Sequence, residues 1–159
     1  TLGIAWTFPN DRSVLVIEGN QDHALLVRIA VRRKFPGLDV RVAGDGKEGV
    51  AYLAGKPPFA YRHSHPFPNL ILLDLIMPVV GGFRVLEWMA EADLIDKVPA
   101  IVLTSSVNPG DEEKALALGA RAFHSKPADL DELGRIVHRL ATEWILDMTA
   151  APMPAQERR

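Results

Sequence analysis

The chain has 159 residues, of which 48% are hydrophobic and 24% charged, with a formal net charge of −2 and no cysteine. This composition argues against a disordered chain, and the near-neutral charge gives no basic surface for nucleic acid. The apolar runs are too short to span a membrane, and the first ten residues carry no basic side chain of a signal peptide. The lack of cysteine excludes disulfides and thiolate metal sites, which fits a cytoplasmic protein. Together these features lead us to expect a cytoplasmic protein that contacts neither membrane nor nucleic acid.

Five short apolar runs alternate with amphipathic segments along the chain. Three of the runs are nearly continuous Val, Ile and Leu, which is typical of parallel strands covered on both faces. The predicted strands are 13–17, 38–43, 70–73, 100–104 and 122–125, and the predicted helices are 22–34, 47–54, 82–90, 109–118 and 130–148. Strands that alternate with helices indicate right-handed crossovers, so the pattern predicts an α/β fold with a doubly wound parallel sheet in three layers.

These elements predict one domain over residues 13–148. An N-terminal extension (1–12) precedes it, and a Pro- and Ala-rich tail (149–159) follows, which we expect to fray. Segment 55–69 contains four of the twelve prolines and no regular period, so it is predicted to be an extended loop before the third strand. We therefore expect no second domain in the remaining residues of this sequence.

Four polar side chains follow the ends of predicted strands. Glu18 and Asp74 come after the first and third strands, Thr104 closes the fourth, and Lys126 follows the fifth. Ligands of an open parallel sheet bind outside the carboxyl ends of its strands, so these groups are expected to converge. A carboxylate can accept a phosphoryl group, while an ammonium and a hydroxyl hold its oxygens. Each residue alone has an ordinary structural explanation, but the set predicts phosphoryl transfer.

The residues around these positions resemble the receiver domains of two-component response regulators. The motifs are VLVIEGNQD (14–22), LILLDLIMPVVGG (70–82), VPAIVLTSS (98–106) and GARAFHSKP (119–127). The similarity extends over roughly residues 13–148, nearly the whole chain. The resemblance implies a flavodoxin-like fold with five strands in the order 2-1-3-4-5. It also implies a signalling protein that is not an enzyme, beyond catalysing its own phosphorylation.

The resemblance assigns a role to each motif residue. Asp74 matches the phosphoacceptor, and Lys126 matches the lysine that pairs with the phosphoryl group. Thr104 matches the switch hydroxyl, and Phe123 matches the aromatic side chain whose rotamer follows that switch. The bond before Pro127 is expected to be cis, which only an X–Pro bond adopts at low cost.

A magnesium ion is the cofactor that the resemblance implies. Its ligands would be Glu18, Asp74 and the backbone carbonyl of Ile76. The second acid of the usual pair is replaced by Gly19, so we expect weaker binding of Mg²⁺ and less compensation of the phosphoryl charge.

The implied partners are a sensor histidine kinase or a phosphotransfer protein. Signalling, and homodimerisation where it occurs, would use the face formed by the fourth helix, fifth strand and fifth helix. The loop at 55–69 and the ending RIVHRLATEWILDMTAAPMP (135–154) further resemble small stand-alone regulators associated with bacterial phytochromes.

Two functions remain open from the sequence. One is a single-domain response regulator that is phosphorylated on Asp74. The other is a pseudo-receiver that acts as a phosphorylation-independent interaction or dimerisation module, because Gly19 removes a metal-binding acid. A third and remote hypothesis, an enzyme of another flavodoxin-like family, would require a bound cofactor or turnover.

Two local motifs carry weaker alternatives. GDGKEG (44–49) matches the glycine pattern of dinucleotide-binding loops, but the helix after it is short and a Pro-rich loop follows. His63 and His65 could share a metal ion, but no third ligand is evident nearby, and histidines on surface loops are common.

Overall fold

Strands and helices alternate throughout the computed structural model, which describes residues 12–150. The strands are β1 (Ser13–Ile17), β2 (Asp39–Ala43), β3 (Leu70–Leu73), β4 (Ala100–Thr104) and β5 (Ala122–Ser125). The helices are α1 (Gln21–Lys34), α2 (Gly46–Ala54), α3 (Gly82–Glu91), α4 (Asp111–Ala117) and α5 (Leu130–Ala150). The predicted extension at 1–12 and tail at 149–159 lie almost entirely outside the described residues.

The sheet has five parallel strands in the order β2-β1-β3-β4-β5, which confirms the predicted fold and strand order. In the register of the central strands, Leu15 of β1 lies opposite Arg41 of β2 and Ile71 of β3. Within residues 12–150, no helix has the length and apolar character needed to cross a bilayer.

The hydrophobic core consists of two layers, one on each face of the sheet. Alternate residues of a strand point to opposite faces, so Val14 and Val16 pack against α1 and α5, while Leu15 and Ile17 pack against α2 and α3. All five residues of β1 and of β4 are buried, as expected for strands covered on both faces. Burying each large aliphatic side chain stabilises the fold by roughly 1.5–3 kcal/mol.

Element boundaries differ from the predictions by one or two residues. Helix α4 begins at Asp111 rather than at 109, because Gly110 adopts the left-handed conformation with φ of 89°. Helix α1 begins one residue earlier than predicted, at Gln21, because the Asn20 side chain accepts hydrogen bonds from the amides of Asp22 (2.9 Å) and His23 (3.1 Å).

The segment between α2 and β3 contains turns but no helix or strand, as predicted. Arg62 fixes it against the end of α2, since its guanidinium donates to the carbonyls of Tyr52 and Leu53 at 2.8 Å each. The Leu53 carbonyl lies in the last turn of α2 and is satisfied by this donor, while the Tyr52 carbonyl also accepts from the amide of Gly55 at 3.1 Å. The same guanidinium lies over the rings of Tyr52 and Phe67, at 5.8 and 5.7 Å from their centroids.

Gly82 lets α3 begin directly against the end of β3. A Cβ atom at this position would lie 2.3 Å from the carbonyl oxygen of Asp74 and 2.8 Å from Cα of Leu75. We therefore expect Gly82→Ala to lower the free energy of unfolding by about 1–3 kcal/mol, as overpacking against backbone does. Urea denaturation measures the loss. Gly37→Ala is the control, because nothing lies within 4 Å of its added Cβ; equal losses in the two variants would contradict the account.

Candidate functional site

The carboxyl ends of β1, β3 and β5 bring three charged side chains together. Lys126 forms buried ion pairs with Glu18 and Asp74, and its Nζ lies 3.0 Å from Asp74 Oδ2. All three residues are buried although they carry charge. Buried charges persist only when they are paired, so this cluster depends on the convergence of the three strand ends.

The Lys126 ammonium contacts three acceptors. Two are the carboxylate oxygens Glu18 Oε1 and Asp74 Oδ2, and the third is His23 Nδ1 at 3.1 Å. His23 lies in the first turn of α1, which begins just after β1. The end of β1 and the start of α1 therefore supply two of the three contacts to Lys126, through Glu18 and His23.

Backbone amides fix the other oxygen of each carboxylate. The amide of Asn20 donates to Glu18 Oε2 at 3.1 Å, and the amide of Ile76 donates to Asp74 Oδ1 at 3.1 Å. Each carboxylate is thus held by lysine on one side and by the following turn on the other. This arrangement orients the Asp74 carboxylate.

The two carboxyls have opposite pKa shifts. Burial, with the neighbouring Asp74 carboxyl, raises the pKa of Glu18 to about 7, although Lys126 acts against the shift. Burial alone would raise the pKa of Asp74, but hydrogen bonding with Glu18 and Thr104 and the charge of Lys126 lower it below its usual value. Asp74 is therefore the ionised carboxylate at neutral pH, as a nucleophile must be.

These shifts predict how stability depends on pH. Folding raises the pKa of Glu18 from 4.5 to about 7, so the metal-free folded protein binds more protons than the unfolded chain in this range, and its free energy of unfolding falls as pH rises from 4.5 to 7. The lowered pKa of Asp74 gives the opposite slope, a loss of stability as pH falls below 3.8. Urea denaturation with chelator across pH 4–8 should show that Glu18→Gln removes the first slope; parallel curves for wild type and variant would contradict it.

Thr104 and Phe123, the predicted switch pair, lie on the adjacent strands β4 and β5. Thr104 is fully buried at the end of β4, and its Oγ1 accepts a hydrogen bond from the amide of Ser106 at 3.2 Å. Ser106 Oγ in turn donates to Asp111 at the start of α4. Phe123 is half-buried on β5 and packs on the sheet face covered by α2 and α3. A chain of hydrogen bonds thus connects the Thr104 hydroxyl to α4.

The predicted cis bond before Pro127 is wrong for this structure. Among the described residues, the cis peptide bond is Pro57–Pro58, and the Lys126–Pro127 bond is trans. The trans form is the ordinary state of an X–Pro bond, and Lys126 contacts Glu18 and Asp74 in this form.

The donor set fits a magnesium ion held by few protein ligands. Mg²⁺ is commonly bound through one or two carboxylates with several waters, and Glu18 and Asp74 supply two carboxylates at one place. In the part of the chain that the structure describes, no group of three or more acidic, His or Cys side chains is arranged to hold a metal. Gly19 lies beside the pair, where an added Cβ would be 3.4 Å from Met77 Cγ, an ordinary contact distance. The glycine therefore makes the site less negative than a second acid would, and it leaves room for a side chain.

A buried, ionised aspartate that is fixed by amides and paired with an ammonium is suited to accept a phosphoryl group. The family model described as "Response regulator receiver domain" matches residues 14–138. The chain belongs to this family.

Two relatives of this receiver domain are regulators of similar length. Response regulator Rcp1 of Synechocystis sp. is 26% identical over 136 residues, which cover 86% of this chain and 90% of that protein. A probable methanogenesis regulatory protein, FilR2 of Methanothrix harundinacea, is 29% identical over 143 residues, covering 89% and 88% of the two chains.

Two solved structures of response regulators are also similar to this chain. The phosphorylated cyanobacterial phytochrome response regulator RcpA superposes with a TM-score of 0.77 at 28% identity, covering 84% of this chain and 93% of that one. The Mn²⁺-bound form of Rcp1 superposes with a TM-score of 0.77 at 26% identity, covering 90% and 99%. The predicted resemblance to phytochrome-associated regulators is confirmed.

Sequence reasoning missed His23 as a neighbour of Lys126. The available signal was the helix start: an N-cap at Asn20 places His23 in the first turn of a helix that follows directly on Glu18. It also missed the hydrogen bond between Ser106 and Asp111, which depends on where α4 begins.

Proposed function

We propose that this receiver domain accepts a phosphoryl group on Asp74 from the phosphohistidine of a sensor kinase or phosphotransfer protein. The observation that carries the proposal is the ion pair of a buried, ionised Asp74 with Lys126, at 3.0 Å. Similarity to RcpA, whose solved structure is that of a phosphorylated protein, supports it.

The transfer can be written as a displacement at phosphorus. A carboxylate oxygen of Asp74 forms a bond to phosphorus as the phosphorus–nitrogen bond of the donor imidazole breaks. The electron pair stays on the imidazole nitrogen, which takes up a proton from solvent. Lys126, which already contacts Asp74 Oδ2, is placed to neutralise the charge of the incoming phosphoryl oxygens.

A magnesium ion would be held by Glu18 and Asp74 together with the carbonyl of Ile76. When bound, it would supply positive charge that stabilises the phosphoryl oxygens. The similarity to Rcp1, which has been solved in an Mn²⁺-bound form, supports the binding of a divalent cation. Because Gly19 supplies no carboxylate, we infer weaker binding than in a site with three acids.

The output surface that we propose comprises α4, β5 and α5. Phosphorylation would draw the Thr104 hydroxyl, which now accepts a hydrogen bond from the Ser106 amide at 3.2 Å, toward the phosphoryl oxygens and away from that amide. Ser106 is hydrogen-bonded to the first residue of α4, so this movement reaches the helix. Leu116 is exposed on α4 and provides an apolar contact for a partner or a second copy of the chain.

Incubation with a small phosphodonor and Mg²⁺ tests the proposal. Intact-mass spectrometry is expected to show the addition of one phosphoryl group to the wild-type chain and none to Asp74→Asn, because an amide cannot form the acyl phosphate. The asparagine is matched in size, and thermal unfolding checks that the variant is folded. Equal additions to both proteins would contradict the site.

The alternative, a phosphorylation-independent interaction module, is favoured by one observation, the absence of an acid at Gly19. It predicts no addition to the wild-type chain at any Mg²⁺ concentration. It also predicts an addition to Gly19→Asp, in which the acid is restored. The same experiment therefore separates the two functions.

A further inference from the structure

We infer that His23 is a positioning residue for Lys126, fixing the ammonium so that it faces the reacting carboxylate. His23 Nδ1 lies 3.1 Å from Lys126 Nζ, outside the set of residues that the receiver motifs identify. The assignment rests on the proposed function for its effect on phosphorylation, while the contact itself can be tested without it.

The number of donors on the ammonium supports this role. A lysine ammonium has three N–H groups, and Lys126 contacts three acceptors, on Glu18, Asp74 and His23. Its side chain is only 2% exposed, so water cannot readily replace a lost acceptor. Without His23, one buried N–H would have no partner, and the ammonium would turn to find one.

The chemistry of histidine suits this position. Nδ1 can accept from the ammonium only when the imidazole is neutral and carries its proton on Nε2. Burial and the nearby Lys126 charge both lower the pKa of His23, which favours the neutral form. A carboxylate at this position would add a third negative charge to the site, and a cation would repel Lys126. Histidine accepts the hydrogen bond without changing the charge of the site.

The helix fixes the position of the imidazole. The His23 amide donates to the Asn20 side chain that caps α1, at 3.1 Å. Asn20 also donates its own amide to Glu18 Oε2. One turn of chain therefore holds both Glu18 and His23 against Lys126.

His23→Phe and His23→Asn separate positioning from packing. Phenylalanine retains a ring of similar shape but has no acceptor. Asparagine places Oδ1 the same number of bonds from the backbone as Nδ1, so it can accept the lysine hydrogen bond. We expect His23→Phe to lower the maximal rate constant of phosphorylation roughly tenfold. The half-saturating concentration of the phosphodonor should not change, because His23 acts through Lys126. His23→Asn should recover most of the rate.

The rate constants of phosphorylation are measured by intact-mass spectrometry with acetyl phosphate as the donor. His63→Phe is the control, because His63 is an exposed histidine on a loop. Thermal unfolding checks that each variant is folded, and His23→Ala replaces His23→Phe if the latter is not. Equal rates for the acceptor-free variant and wild type would overturn the inference, as would failure of asparagine to restore the rate.

NMR tests the contact between His23 and Lys126 independently of phosphorylation. If Asp74 takes up no phosphoryl group, the proposed function fails, but the NMR result still decides this inference. The wild-type His23 ring is expected to be the Nε2–H tautomer, with an unprotonated Nδ1. Hydrogen exchange at the Lys126 ammonium should be faster in His23→Phe than in His23→Asn. A protonated Nδ1, or equal exchange in the two variants, would overturn the inference.

Discussion

Lys126→Met is expected to slow phosphorylation of Asp74 by roughly 10²-fold, the typical effect of removing one electrostatic contact from a reacting group. It is also expected to destabilise the protein, because Glu18 and Asp74 lose their only charged hydrogen-bond donor among the described residues. Breaking a buried ion pair in this way costs about 3–5 kcal/mol when the remaining charges stay ionised.

The stability loss in this variant should depend on pH. Above pH 7 both carboxyls are ionised, and the loss is largest. Near pH 5 Glu18 is protonated, because its pKa is about 7, and the loss is smaller. Urea denaturation at the two pH values measures the difference, and Lys97→Met controls for loss of an exposed lysine. A loss that is equal at both pH values would contradict the assignment of Lys126 as the counter-charge.

Gly19→Asp is expected to bind Mg²⁺ on the order of tenfold more tightly than wild type, since affinity increases with the number of charged ligands. The position accepts a side chain, because the added Cβ would lie 3.4 Å from Met77 Cγ and 3.7 Å from the carbonyl oxygen of Gly44. The new carboxylate would lie beside Glu18, at the edge of the sheet where β3 ends and Asp74 lies.

Isothermal titration calorimetry with Mg²⁺ measures this affinity in wild type, Gly19→Asp and Gly19→Asn. The asparagine variant has the same size without the charge, so the difference between the two variants isolates the carboxylate. Equal affinities in Gly19→Asp and Gly19→Asn would show that the missing acid is not what limits metal binding.

The fold was predictable because its determinants are local. The nearly continuous Val, Ile and Leu of β1, β3 and β4 indicate strands covered on both faces, and the structure gives all three the predicted bounds. The start of α4 was not predictable from hydrophobic periodicity, because the left-handed conformation of Gly110 determines it. Likewise, glycines 46 and 49 match a nucleotide-binding pattern, but added Cβ atoms there would lie 2.2 Å from the Val80 carbonyl oxygen and 2.7 Å from Ile17. These glycines allow close packing of α2.

The candidate site was predictable only in part. Residues at strand ends converge whenever the strands are parallel, so Glu18, Asp74 and Lys126 could be grouped from their positions alone. The contact of His23 with Lys126 joins residues 103 positions apart, and it depends on the rotation of α1 about its axis. Hydrophobic periodicity indicates the buried face of α1, but the distance between His23 and Lys126 is set by how α1 packs against the sheet and α5.

The most direct test of the central claim is the location of the phosphoryl group. Borohydride reduces an aspartyl phosphate to homoserine, and peptide mapping by mass spectrometry then identifies the modified residue. After treatment with a phosphodonor and Mg²⁺, we expect homoserine at position 74 in the wild-type chain. Phosphoryl incorporation without homoserine at position 74, or with homoserine at another aspartate, would contradict the assignment of Asp74 as the phosphoacceptor.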